Sequence, residues 1–105
     1  MSEASDEPGP YDVSYSQRVL DELKALLARA HKRGKGQEVL AVVREIHHRL
    51  KLYPQFGEPL RDLSKHSLKM WIATVWPLVV KYVLDEERRQ VLVGEPLKPL
   101  SNLGL

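Results

Sequence analysis

From residue 17 to residue 52 apolar side chains return every three or four positions, in two runs that each give a helix one apolar stripe. The first run is Val19, Leu20, Leu23, Leu26, Leu27 and Ala30; the second is Val39, Leu40, Val42, Val43, Ile46 and Leu50. A helix with one apolar side must bury it against another layer. The break between the runs, His31-Lys32-Arg33-Gly34-Lys35-Gly36, is short and holds two glycines. Glycine suits a helix C-terminus, and the basic residues complement the negative end of its dipole. Ser16 is placed to cap the first helix. The second helix is expected from about Gln37 to Leu52, since Pro54 forbids continuation. Helices joined this way fold back as an antiparallel hairpin, with both stripes seeking the same partner layer.

The rest of the chain supplies that layer. Tyr11-Asp12-Val13-Ser14-Tyr15 alternates apolar and polar residues, the period of a half-buried strand. Residues 70–75 and 78–84 are dense in β-branched and aromatic side chains and predict neighbouring strands on either side of Trp76-Pro77. Asp85-Glu86-Glu87-Arg88-Arg89 reads as a hairpin turn and Gln90-Val91-Leu92-Val93 as the next strand, with Pro96 and Pro99 closing the meander. The stretch from Tyr53 to Lys69 is turn-rich, with Phe56, Leu60 and Leu63 as anchors onto the core. The expected class is α+β: a two-helix hairpin packed on a small, mostly antiparallel β-sheet in the order β-α-α-β-β-β. Alternation sets Trp71, Ala73 and Val75 on one face and Met70, Ile72 and Thr74 on the other. The hairpin covers one face and leaves the other partly bare.

At 105 residues the chain corresponds to one domain. Residues 1–10 read as a disordered acidic tail, 11–95 as the folded domain and 96–105 as a C-terminal tail. Without cysteine, disulfides and thiolate zinc sites are excluded, and a reducing compartment fits. The longest apolar run, Met70 to Val80, falls short of the roughly 20 residues of a membrane span. The N-terminus lacks the basic flank and apolar stretch of a secretory signal, so the expected location is cytoplasmic, with no membrane partner. The net charge of +2 hides an asymmetry. Glu3, Asp6, Glu7 and Asp12 are unopposed in the first 12 residues, leaving 16 basic against 10 acidic residues in the remainder. A basic domain can hold a polyanion or an acidic protein segment, or can simply be solvated.

With this order of elements, two phrases carry a resemblance. They are Pro54-Gln55-Phe56-Gly57-Glu58-Pro59-Leu60-Arg61-Asp62-Leu63 and Val79-Val80-Lys81-Tyr82-Val83-Leu84-Asp85-Glu86-Glu87, the latter followed by Val91-Leu92-Val93. Over residues 11–95 the sequence resembles the RelE/ParE superfamily, the small basic toxins of bacterial type II toxin–antitoxin pairs. The resemblance implies a cognate antitoxin as partner, and either ribosome-dependent mRNA cleavage or binding to DNA gyrase as the toxic act. Cleavage of that kind has a 2′-hydroxyl attack the adjacent phosphodiester and needs cationic donors around the phosphate. The sequence departs from the ribonuclease pattern where Val79 stands in place of an arginine and where Lys98 is the only cation of residues 94–105. Each missing donor of this sort costs about 2.7–4 kcal/mol of transition-state stabilisation. A catalytically inactive protein-interaction module with the same fold is the alternative.

If phosphates bind, the first candidates are Arg61, Lys65, Lys69 and Lys81, with His66, Arg61 and Lys81 as the catalytic set. Arginine forks onto phosphate oxygens and histidine titrates near neutral pH. The plain alternative is a wet basic loop. His47 and His48 are adjacent on a helix, about 100° apart, and do not make a metal face, which wants i and i+4 spacing. His31, Lys32, Arg33 and Lys35 read as helix-terminal charges, or as a basic tip able to touch an acidic partner. Trp71, Trp76 and Tyr82 serve the core, or stack on bases if exposed beside cations. Leu97, Leu100, Leu103 and Leu105 can fold back onto the bare sheet face. No phosphate loop, nucleophile elbow, paired catalytic carboxylates or metal cluster is present in the sequence, and no cofactor is expected.

Overall fold

The computed structural model describes residues 10–62 and 68–100. Strand β1 (Asp12–Tyr15) leads into helix α1 (Gln17–Lys32), which turns through Arg33 and Gly34 into α2 (Gly36–Leu52). A short 3-10 turn, Pro54–Phe56, precedes β2 (Glu58–Asp62), and then come β3 (Leu68–Val75), β4 (Leu78–Asp85), β5 (Gln90–Val93) and β6 (Lys98–Pro99). The Ser16 side chain accepts the Val19 N–H at 3.2 Å, the expected cap. Gly34 takes φ +74° between the helices, a conformation glycine adopts without a Cβ penalty.

The sheet order is β1-β5-β4-β3-β2, with β6 also on β4. Every pairing is antiparallel except β1 with β5. The α+β class and the hairpin on a mostly antiparallel sheet are as expected. Two strands lie outside the expected order. β2 forms within the turn-rich stretch, because Glu58 to Asp62 can ladder onto β3 once a bulge between Pro59 and Arg61 absorbs Leu60. Leu60 is consequently 49% exposed rather than a core anchor, and Leu63 lies outside the described residues. β6 forms among the prolines expected to end the meander, with Pro99 itself opposite Leu78: Leu92 pairs with Val83 and Lys98 with Val79, so two extra residues between them are thrown out of the ladder. An even shift keeps the faces in phase.

The helix-facing side of the sheet is the core. Leu78, Val80, Tyr82 and Leu84 of β4 meet Val91 and Val93 of β5 and the helical stripes, where Val19, Leu26, Val39, Ile46 and Leu50 are buried. Leu97 is buried in the same cluster, whereas Leu100 is 47% exposed; Leu103 and Leu105 lie outside the described residues. Trp71 packs against this core and Trp76 is 63% exposed at the β3–β4 turn. The Tyr82 hydroxyl donates to the Pro54 carbonyl, and the Phe56 ring stacks on Tyr82 at 6.4 Å, which ties the 3-10 turn to the sheet.

Burial pushes the Tyr82 hydroxyl up to about 12, and the Gly57 backbone hydrogen bond opposes part of that rise. A tyrosine that ionises later in the folded chain than in the unfolded one makes its full contribution to stability below pH 10. That contribution falls as the pH rises from about 10 to 12, because the unfolded chain loses its proton first. Urea unfolding at pH 8 and pH 11.5 is expected to show a loss that is smaller by on the order of 2 kcal/mol in a Tyr82→Phe background than in the parent, the remainder coming from Tyr15, which burial also raises to about 12.

Candidate functional site on the open face of the sheet

The face turned away from the helices carries the working candidates. Strand alternation and register place Met70, Ile72 and Thr74 of β3 there, opposite Val83, Lys81 and Val79 of β4. Leu92 of β5 joins them opposite Val83 and is 49% exposed. Met70, Ile72, Val79 and Val83 are half-buried. The result is an apolar strip that no helix among the described residues covers, on a small domain whose largest patches tend to be functional.

Charge enters this strip from the end of the sheet. The residues expelled between β5 and β6 bring Glu95 over the face, where its Oε1 stands 4.0 Å from Lys81 Nζ, both side chains about half exposed. Such a pair is worth no more than about 1 kcal/mol and yields easily to another ligand. β6 brings Lys98 opposite Val79. A hollow of about 240 Å³ opens between Met70, Lys81, Val83, Leu92 and Glu95, and a smaller cleft beside it is bounded by Val79, Pro96 and Lys98.

The sequence-predicted site residues divide between the two faces. Lys81 sits on the open face. Arg61 holds a β2 register position opposite Met70, a residue of that same face. Lys69 is exposed but pairs with Leu84, in phase with Trp71 and the helix-facing residues, so it is on the other side of the sheet from Lys81. Lys65 and His66 lie outside the described residues. Tyr82 and Trp71 point to the helix side, so neither offers a stacking surface on the open face. His47 and His48 are exposed on α2, and among the described residues no group of three or more histidines and carboxylates could hold a metal. Glu95 and Lys98 were not among the sequence candidates. Their signal was a Pro-Leu-Lys-Pro phrase compatible with an edge strand, which the two prolines disguised as an ending.

The architecture is that of a RelE-like fold. One solved structure with this arrangement is the archaeal RelE–RelB complex from Pyrococcus horikoshii OT3: a chain in it matches with a TM-score of 0.62 at 20% identity, over 88% of this chain and 97% of that one. A second is the RelBE2 toxin–antitoxin complex from Mycobacterium tuberculosis, with a TM-score of 0.55 at 19% identity, over 89% of this chain and 94% of that one. No protein-family model matches the sequence, and no curated protein does.

Proposed function

We propose that this chain is the toxin of a type II toxin–antitoxin pair and that the open face of the sheet is its working surface. The observation that carries the reading is the RelE-like fold with a sheet face its own helices leave uncovered. The two similar structures are both toxin–antitoxin complexes, which supports an antitoxin as the resting partner of that face. An amphipathic segment suits it: the strip around Met70, Ile72 and Val83 takes apolar side chains, and Lys81 and Lys98 take carboxylates.

In the cell, the proposed act is cleavage of ribosome-bound mRNA. Arg61 and Lys81 hold the scissile phosphate, Lys98 adds a cation beside it, and Lys65 and His66 complete the set from the β2–β3 connection. His66 takes the 2′-hydroxyl proton as that oxygen attacks phosphorus, the P–O5′ bond breaks, and the departing 5′-oxygen takes a proton from water, giving a cyclic phosphate and a 5′-hydroxyl. Lys69, on the other side of the sheet, has no part in this step. Gyrase binding is the rival toxic act. A catalytically silent interaction module is the second reading, favoured by Val79 standing where the resemblance implies an arginine.

Induced expression in a bacterial host, with growth and RNA 5′ ends followed together, separates these readings. Growth arrest with new mRNA ends near codon boundaries is the expected result. Arrest with DNA breaks and intact mRNA would assign gyrase, and unimpaired growth would leave the interaction module. Lys81→Gln is expected to weaken arrest and RNA binding by about tenfold, the value of one charge-assisted hydrogen bond of about 1.5 kcal/mol, without changing the urea midpoint.

A further inference from the structure

A second concavity lies on the helical side of the molecule, where β1 meets the hairpin. It holds about 450 Å³, within the roughly 300–1,000 Å³ range of small-molecule sites. Leu23 of α1 and Val43 of α2, both half-buried, form its apolar walls. Along α2 the residues Arg44, His47, His48 and Lys51 line it, at spacings of three and four that put them on one side of the helix. Tyr15 completes the lining, and among the described residues no carboxylate contributes to it.

The Tyr15–His47 contact is built rather than incidental. The Tyr15 hydroxyl stands 2.8 Å from His47 Nδ1, and the two rings stack with centroids 5.8 Å apart and planes 28° from parallel. Burial raises the Tyr15 hydroxyl to about 12, so it stays a phenol at neutral pH and pairs with His47 Nδ1 as donor or acceptor according to the imidazole tautomer. That contact holds the His47 ring in place, with Nε2 as the ring's remaining polar atom. The cleft therefore offers a flat aromatic surface, two aliphatic walls, and the Arg44, His47 and Lys51 side chains spaced along one helix face.

We propose that this cleft binds a small organic anion with a flat apolar body, its acidic group held by Arg44, His47 and Lys51 and its body laid against Tyr15, Leu23 and Val43. The site is on the opposite side of the sheet from Lys81 and stands independently of the toxin reading. A bare inorganic anion would leave the apolar walls wet, and a neutral aromatic would leave the cations unused.

The probe of choice is 8-anilinonaphthalene-1-sulfonate, followed by fluorescence on the full chain. Saturable one-to-one binding is expected, at least tenfold tighter than that of the neutral N-phenyl-1-naphthylamine, and not displaced by an equal concentration of inorganic phosphate. The double variant Arg44→Glu/Lys51→Glu should weaken it at least tenfold, while Lys81→Glu on the far face should leave it unchanged. Should the double variant fail to fold, NMR on the wild-type chain decides: the methyl signals of Leu23 and Val43 and the ring signals of His47 must shift together with probe concentration. Non-saturating or multiple binding, equal affinity for the neutral probe, full displacement by phosphate, shifts confined to Met70 and Leu92, or loss of binding in Lys81→Glu would each overturn the proposal.

Discussion

Replacing Gly57 with alanine is expected to destabilise the fold by about 3 kcal/mol, at the upper end of overpacking effects. A Cβ at this position would stand 2.5 Å from the Ile72 carbonyl oxygen, 2.8 Å from Ala73 Cβ and 2.9 Å from the Tyr82 hydroxyl. None of these can retreat cheaply. Ile72 and Ala73 lie in β3, which is laddered to β4 along its length, and Ile72 is paired with Glu58 of β2 as well. The Tyr82 hydroxyl is engaged by the Pro54 carbonyl. The requirement is one of space, because Gly57 has an ordinary negative φ of −90°. An alanine would push β2 off the sheet edge or break the Tyr82–Pro54 bond. Urea unfolding measures the loss. Gly94→Ala, with nothing within 4 Å of its new methyl, is the control and should stay within about 0.5 kcal/mol of the parent. A Gly57→Ala midpoint equal to that control would contradict the packing described here.

Leu50→Ala is the second large effect, a loss of about 3–5 kcal/mol. Leu50 has no accessible surface, and it seats α2 in the same cluster as Ile46, Tyr82 and Leu84. Truncation removes the side chain's burial and leaves a cavity that neighbours held by the β-ladder cannot collapse into. A domain of this size has about 5–15 kcal/mol in total, so about a fifth or more of the stability is at stake. Leu52, two residues on, is 55% exposed, and its alanine variant should cost well under 1 kcal/mol. The contrast tests which side of α2 faces the sheet. A small loss at position 50 with a large one at position 52 would mean the helix is rotated.

Much of the fold was legible from periodicity. The stripes of α1 and α2, the Ser16 cap, the glycine break and the strands at 70–75, 78–84 and 90–93 are properties of local spacing. Each has a physical cause within a few residues of itself. β2 and β6 were not legible, because their pairing depends on strands far along the chain and on a bulge at Leu60 and an excursion at 94–97 that no short window reveals. The candidate site suffered for the same reason. Clustering in sequence grouped Arg61, Lys65, His66 and Lys69 with Lys81, whereas the β3–β4 register sends Lys69 and Lys81 to opposite faces. Glu95 and Lys98 reach the open face only because β6 re-forms after the excursion.

By itself, then, the order of apolar and polar residues determined that two helices must pack against a β-layer and that one face of that layer would stay bare. Tertiary structure alone decided which side chains share that bare face and that a second, cationic cleft opens where β1 meets the hairpin. Hydrophobic periodicity is a local code for which side of an element is buried. Strand register and the approach of distant elements are set by long-range pairing, which a one-dimensional reading cannot assign.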